Sequence, residues 1–280
     1  MITSLREFIL NRRIRIFLTL LLAIIFLMGV VSSSMFLDEG RIATNLHERN
    51  SPPSLDHLFG TDWLGRDMFT RTMMGLSLSM GVGLIGAIGS TFIALLLGIT
   101  AATMGKVVDR LISWLIDLFL SVPHLVTLIL IAFTLGGGFK GIVMGIAFTH
   151  WPSLARVIRA EVMQIRSAPF VQISQKMGKS RLWIALHHIF PHIVPQILVG
   201  FLLLFPHTIL HEAAVTFLGL GLSPHQPAIG IILSESMRYL SSGMWWLAFF
   251  PGLCLLMIVR TFDVMGENLR KMIEPVRDDD

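Results

Sequence analysis

Residues 156–195 read RVIRAEVMQIRSAPFVQISQKMGKSRLWIALHHIFPHIVP and form a polar, basic segment between two long apolar runs. Six lysines and arginines stand in this segment against one acid, Glu161. A loop this basic between membrane spans is expected on the cytoplasmic side of a bilayer. Its apolar residues recur at near-helical spacing around Gly178, which indicates two short helical pieces. The segment therefore predicts a docking helix under a membrane, with a solvated helical hairpin that touches lipid headgroups as the alternative.

The composition of the whole chain is that of a membrane protein. Of its 280 residues, 54% are hydrophobic and 14% are charged, and the mean hydropathy is +0.73, whereas a soluble domain has about 25% charged residues. A bilayer span needs about 20 apolar residues, and we read six spans. They are residues 14–37, 78–104, 111–135, 142–151 with its flanks, 193–217 and 245–264. The predicted fold class is an all-α membrane protein with six transmembrane helices.

The distribution of basic residues predicts the orientation of these spans. With both termini in the cytoplasm, sixteen of the 22 lysines and arginines fall in cytoplasmic segments, as the positive-inside rule requires. The first span resembles a signal peptide but is longer than a usual one and lacks a small-x-small cleavage site, which favours an uncleaved anchor. Because topology disperses the basic residues, the pI of 9.7 does not indicate a nucleic-acid partner. The single cysteine, Cys254, excludes an intrachain disulfide.

The first external loop contains LDHLFGTDWLGRD at residues 55–67. Asp62, Arg66 and Asp67 can close a local charge network there, and the two glycines permit tight turns. We therefore predict an ordered cap on the outer side.

Two of the spans carry residues of note. Ser79, Gly83 and Ala87 lie four residues apart in the second span, which predicts close helix packing in lipid. The third span holds Asp117, a carboxylate that is rare at such depth; we expect Trp114 or a backbone group to satisfy it, in a structural role.

Several stretches resemble the permeases of ABC importers, in the branch that serves dipeptides, oligopeptides and nickel. The residues that carry the resemblance are FGTDWLGRD at 59–67, Gly178 followed after a gap of twelve residues by Pro191, FLGLG at 217–221, WWLAFFPG at 245–252 and GENLR at 266–270. The spacing from Gly178 to Pro191 matches the back half of the family's "EAA" loop. The front half departs from it, because Gln172, Ile173 and Ser174 stand where Glu-Ala-Ala is usual.

The resemblance implies a type I importer permease in a prokaryotic plasma membrane. Its expected partners are a second homologous permease, two ABC ATPase subunits that bind the ATP, and an extracytoplasmic substrate-binding protein; the chain itself would hold no cofactor. The implied division is an N-terminal segment and first helix at 1–37, an external loop at 38–77, and a five-helix core at 78–280 with a coupling loop at 156–192. The expected ATPase contacts in that loop are Phe170, Val171, Gln172, Ser174, Met177 and Gly178.

Two enzyme readings fail on single positions. Gly178-Lys179-Ser180 resembles the end of a phosphate-binding loop, but the required earlier glycine is Ile173. The string that begins His211-Glu212 resembles a metalloprotease site, but Val215 stands where the second histidine is needed. A passive channel subunit remains as a further alternative, which ATP-dependent uptake would discriminate.

His207 and His211 are the residues from which we predict the cargo. Four residues apart, they lie about 40° from each other around a helix and one turn along it. The preceding Pro206 frees a carbonyl and is expected to bend the helix. Neutral imidazole is a good ligand for nickel, copper and zinc, although interhelical hydrogen bonds would also explain the pair.

The resemblance adds that nickel-importing members carry histidines at both places and a His-Trp like His150-Trp151. The predicted function is import of nickel or a related divalent metal, free or chelated, with His207 and His211 as metal ligands and His150, His207, His211 and Glu212 along the path. Import of dipeptides or oligopeptides is the alternative.

Overall fold

The computed structural model describes residues 12–273, and this part of the chain is almost entirely helical. Its single β-feature is an isolated bridge between Thr61 and Asp67, so the predicted all-α class is confirmed. The helices are α1 Arg12–Phe36, α2 Met68–Thr103, α3 Lys106–Ser121, α4 His124–Thr134, α5 Gly138–Thr149, α6 Trp151–Arg166, α7 Pro169–Lys176, α8 Arg181–Ile184, α9 Phe190–Phe217, α10 Ile229–Met237 and α11 Trp246–Ile273. A π-helical segment, Ala185–Ile189, joins α8 to α9.

Four helical stretches in the described part are long and apolar enough to cross a bilayer: α1, α2, the stretch Leu182–Phe217 and α11. Helices α3 and α4 give a fifth crossing if they count as one span, although they meet at an angle of 98°. The bend follows from Pro123, because Val122 before it takes extended angles and cannot continue the helix. Two of the sixteen basic residues that we counted as cytoplasmic, Arg6 and Arg277, lie outside the described residues.

The predicted fourth span, 142–151, has no counterpart among these stretches. It is divided between α5, which has only 12 residues, and α6. Helix α6 carries arginines at positions 156, 159 and 166, and several charges on one short helix are unfavourable in hydrocarbon. The count of qualifying spans is therefore four or five rather than the predicted six.

Helix α2 is central to the fold and packs against α5, α6, α9 and α10. A Cβ atom added at Gly83 would lie 2.9 Å from the side chain of Ile209 on α9. One added at Gly86 would lie 2.6 Å from the side chain of Ile146 on α5. Since these distances are shorter than carbon atoms tolerate, the small residues set how closely the helices approach. This confirms the predicted packing role of the second span.

The loop between α1 and α2 is an ordered cap, tied to α10 by charges. Asp62 accepts hydrogen bonds from Arg66 Nε at 2.7 Å and from Arg71 Nη1 at 2.6 Å. Both arginines also donate to Glu235 on α10, at 3.1 and 2.9 Å. Asp67 has another role than predicted, because its carboxylate accepts a backbone N–H of the first turn of α2 at 2.8 Å. The local network thus exists, with Arg71 and Glu235 in place of Asp67.

The basic segment folds into α6, α7 and α8, with Gly178 between the two short helices as predicted. Gly178 has φ of 79°, a left-handed conformation that favours glycine. Helix α6 is held to α3 by Arg159, whose Nη2 donates to Asp109 Oδ2 at 2.8 Å. Nearby, Arg156 donates to Asp117 at 2.8 Å. The partner of Asp117 is therefore a guanidinium group and not the expected Trp114 or backbone.

Candidate functional site

A cavity of about 390 Å³ opens between the α3–α4 bend, the α5–α6 junction and α9. Most of its lining is apolar, and four histidines provide much of the polar surface. They are His124, His150, His207 and His211. Ligand pockets in proteins are typically apolar with a few placed polar groups, so this cavity is the candidate path for cargo.

Three separate pieces of backbone geometry position these histidines. His124 is the first residue of α4 and stands directly after the Pro123 bend. His150 is the link between α5 and α6. His207 and His211 lie one turn apart on α9, which runs through Pro206 as one uninterrupted helix.

The rings of His124, His150 and His211 meet at one point. His150 Nε2 lies 3.1 Å from His124 Nε2 and 3.1 Å from His211 Nδ1. The ring centroid of His124 lies 4.2 Å from that of His150 and 4.7 Å from that of His211, and the centroids of His150 and His211 are 5.0 Å apart. One nitrogen from each ring can be chosen so that all three lie within 4.8 Å of one another. A group of imidazoles at this spacing is a candidate metal centre.

The structure selects a different set of histidines from the one predicted. His211 and His150 belong to the cluster, whereas His207 lines the same cavity with an exposed side chain and stands outside the group of three. His124 replaces it, a residue that the sequence reasoning did not single out. An ionisable residue at the edge of an apolar run, next to the proline that breaks it, was the signal available for His124.

Glu212 is not among the cavity's lining residues. Its side chain is fully buried, and its Oε1 accepts a hydrogen bond from the Thr216 hydroxyl at 2.8 Å, one turn further along α9. It follows His211 in the sequence, and successive helical residues point about 100° apart. The side chain of Glu212 therefore lies outside this cavity, and its role along the cargo path stays a prediction.

The six residues predicted as ATPase contacts lie on and just after α7. Val171 is fully buried, whereas Phe170 is 40% and Met177 73% exposed. Phe170 stacks on His192 with ring centroids 5.3 Å apart, and Ser174 Oγ lies 2.8 Å from His188 Nε2. Helix α7 is thus anchored by one face and leaves the other open.

A second, larger cavity of about 660 Å³ adjoins this helix. It lies between the end of α6 and α7, and Gln172 is among its lining residues together with the basic Arg166 and Lys176. Gln172 also donates from Nε2 to the carbonyl of Ser167 at 3.0 Å. The predicted docking element therefore has an open, basic groove beside it.

Residues 94–274 match the family described as "Binding-protein-dependent transport system inner membrane component". The chain belongs to this family. Its members are transport components, so the chain is a multi-pass inner-membrane permease subunit and not an enzyme. It works with an ATPase and a substrate-binding protein, since that is the composition of such importers.

Curated relatives match almost the whole chain. The dipeptide transport system permease protein DppC of Bacillus subtilis (strain 168) is 32% identical over 255 residues, which are 91% of this chain and 79% of that protein. The oligopeptide transport system permease protein OppC of the same strain is 31% identical over 256 residues, 91% of this chain and 84% of that protein. A putative peptide permease protein of Brucella suis biovar 1 is 33% identical over 278 residues, which are 98% of this chain and 91% of that protein.

The fold also has a solved counterpart. Inward-facing structures of the MetNI methionine ABC transporter match with a TM-score of 0.60 at 14% identity, over 74% of this chain and 98% of that one. This likeness supports the type I importer permease fold. The relatives above are named as dipeptide, oligopeptide and putative peptide permeases.

Proposed function

We propose that this chain is the membrane-spanning subunit of an ATP-driven importer that moves dipeptides or oligopeptides from a binding protein into the cytoplasm. The observation that carries the cargo class is the 31–33% identity, over nearly the full chain, to permeases named for dipeptides and oligopeptides. A cavity of about 390 Å³ beside α9 is compatible with it, since pockets for small ligands measure about 300–1,000 Å³.

The cavity wall offers chemistry for a peptide. Apolar residues of α6 and α9 form most of it and would accept side chains of varied shape. Neutral imidazoles can both donate and accept hydrogen bonds, as a peptide backbone requires. The proposed path therefore passes His150, His207 and His211, with Glu212 behind it in the packed interior.

Uptake by the complete importer tests this function. Membrane vesicles that contain the permease, its partners and the binding protein should accumulate labelled dipeptide only when ATP is supplied. The variant to compare with the wild type is Gly200→Leu. Its new side chain meets Leu154 at the wall of the cavity, so ATP-driven dipeptide uptake should fall. Uptake without ATP would contradict the importer and indicate a passive channel.

The histidine cluster favours a second candidate, import of nickel or a related divalent metal, free or chelated. Three imidazole rings meet beside the proposed path, and imidazole suits nickel, copper and zinc. The same vesicles with labelled nickel separate the two cargoes. Nickel accumulation without dipeptide accumulation would replace the peptide assignment.

We propose the following assembly around the path. A second homologous permease and two ATPases complete the transporter, with ATP bound by the ATPases. Helix α7 and Gly178 form the coupling element, through Phe170, Val171, Gln172, Ser174 and Met177. Both termini lie in the cytoplasm, and the cap between α1 and α2 faces outward toward the binding protein.

A further inference from the structure

We infer that His124, His150 and His211 form a binding site for one divalent transition-metal ion of the class that prefers imidazole, such as nickel, copper or zinc. The inference goes beyond peptide import and does not depend on which cargo crosses the membrane. It names a site with three ligands from three separate helical segments, one of which, His124, no sequence motif indicated.

The spacing of the nitrogens fits such an ion. Two nitrogens bound at tetrahedral angles to one zinc, each at about 2.0–2.1 Å, lie about 3.3 Å apart. His124 Nε2 and His150 Nε2 are 3.1 Å apart. One nitrogen of His211 lies within 4.8 Å of a nitrogen on each of the other two rings.

The surrounding backbone orients two of the rings for this role. His150 Nδ1 lies 3.2 Å from the carbonyl of Ile146, so its N–H can donate there and leave the lone pair on Nε2, which lies 3.1 Å from His124 Nε2. The neighbouring Thr149 hydroxyl donates to Gly145 at 2.8 Å and leaves its oxygen beside the same Nδ1. Metal-binding histidines commonly donate their second N–H to a backbone carbonyl, which fixes the tautomer and the ring plane.

His211 has the same type of anchor. Its Nδ1 lies 2.8 Å from the carbonyl of His207, one turn earlier on α9. An N–H on Nδ1 can be shared between that carbonyl and His150 Nε2, 3.1 Å away, and it leaves Nε2 as the nitrogen with a free lone pair. The part of His207 that serves the cluster is therefore its backbone, while its imidazole faces the cavity outside the group of three.

Three protein ligands beside a cavity leave a fourth coordination position open. Zinc sites with four protein ligands are closed and structural, whereas sites with three keep a position for water or another molecule. The ligands here are neutral, and Glu212, the nearest acid in the sequence, bonds to Thr216 instead. We therefore expect an exchangeable ion rather than a permanently bound one.

Direct metal binding to the purified transporter tests the site. The complex carries an affinity tag without histidine, is stripped with chelator, and is titrated with cobalt(II), whose visible absorption reports tetrahedral coordination. Nickel and zinc are then added as competitors. The background is the triple variant His124→Ala, His150→Ala, His211→Ala, because His187, His188 and His192 near the basic segment could also take up metal.

We expect the wild type to bind one more cobalt ion than the triple variant, with a tetrahedral spectrum that zinc and nickel abolish. Each single variant, His124→Ala, His150→Ala or His211→Ala, should weaken binding at least about tenfold, the scale already seen when only an outer partner of a metal ligand is lost. His207→Ala is the matched control, since it alters the same cavity without removing a ligand, and its cobalt affinity should lose less than the about tenfold that loss of an outer partner costs.

Two results would overturn the site. The first is a wild type that binds no more cobalt than the triple variant, which would leave a cluster of interhelical hydrogen bonds. The second is a loss of cobalt affinity in His207→Ala as large as the loss in His211→Ala. His150→Gln keeps a polar side chain in that position and serves if the alanine variant does not assemble. Because binding is measured without transport, a failure of peptide uptake would leave this result unaffected.

Discussion

Asp62 is the residue on which the outer cap depends most. Its side chain and that of Arg71 are 4% and 5% exposed, and Asp62 bonds to two guanidinium groups at once. In Asp62→Asn, Arg71 stays buried and both arginines keep only Glu235 as an acidic partner. Removing one partner of a buried ion pair costs about 3–5 kcal/mol when the remaining charge has no other partner, so a denaturant titration of the purified complex should show a loss of up to about that size in unfolding free energy.

The matched control for this substitution is Asp56→Asn in the same loop. Asp56 is exposed, and exposed carboxylates contribute little to stability. The two variants remove the same charge from the same loop. If both unfold at the same denaturant concentration as the wild type, the network does not stabilise the cap.

The residues of these clusters differ in how far sequence could predict them. Asp62 and Arg66 are four apart, so local spacing was sufficient to pair them. Arg71 and Glu235 are 164 positions apart, and only the packing of α10 against the cap brings them together. In the same way, helical spacing predicted that His207 and His211 share a face, but packing decides that His211 meets His124.

At the scale of elements, α7 is a helix with one face open to a partner. Phe170 packs against His188 on the π-helical segment and against His192 in the first turn of α9, with ring centroids 5.4 and 5.3 Å apart. A carboxylate there would face the partner while Val171 still anchors the helix. We expect Phe170→Asp to lower ATP-driven uptake about tenfold or more, since an aromatic anchor of an interface contributes about 2 kcal/mol.

Phe139→Asp is the control for this change. Phe139 is 44% exposed, close to the 40% of Phe170, but it lies at the start of α5, on the side that we propose faces outward. Both variants should be present in the membrane at wild-type amounts. Equal uptake by the two variants, with ATPase subunits still attached, would contradict α7 as the coupling element.

The contact between α3 and α6 gives a paired test of two arginines. Arg159 and its partner Asp109 are 27% and 26% exposed, and the guanidinium donates through Nε and Nη2 to both carboxylate oxygens. Arg156 and Asp117 are 55% and 70% exposed and share one hydrogen bond. We expect Arg159→Gln to lower the unfolding free energy by about 1.5–3 kcal/mol.

Arg156→Gln should cost about 0–1 kcal/mol, as exposed ion pairs do. Thermal unfolding of the two variants in one detergent compares them directly. A larger loss for Arg156→Gln would mean that the position of the pair in the bilayer, and not its geometry, decides its strength.

The element that sequence described least well is the predicted fourth span. Hydropathy averages composition along the chain and does not report that His150 separates two helices, of which the second carries three arginines. Helices α5 and α6 bury their apolar faces against α2, so protein and not lipid satisfies much of their apolar surface. A short apolar run inside a packed bundle therefore gives the same signal as part of a lipid-facing span.

At the scale of the whole molecule, the orientation in the membrane is the prediction with the widest consequences. A cysteine at exposed Ser54, in a chain with Cys254→Ala, should react with an impermeant thiol reagent added to intact cells. We place this loop outside because that orientation puts sixteen of the 22 basic residues in the cytoplasm, as the positive-inside rule requires. Labelling is read by mass shift of the purified chain.

The control is a cysteine at Ser180, which is exposed in the basic segment. It should react only after lysis of the cells. The reverse pattern at the two positions would invert the topology and place the coupling element outside.

The central position of α2 also sets an order of events during synthesis. Gly83 leaves the ribosome 126 residues before Ile209, the side chain that fills the space over it. At about 5–20 residues per second, this interval is roughly 6–25 s. During that time α2 presents a groove of small residues whose partners have not yet been made. A nascent chain arrested before α9 should therefore be open to lipid and chaperones along α2, and protection from proteases should appear abruptly once α9 has been inserted.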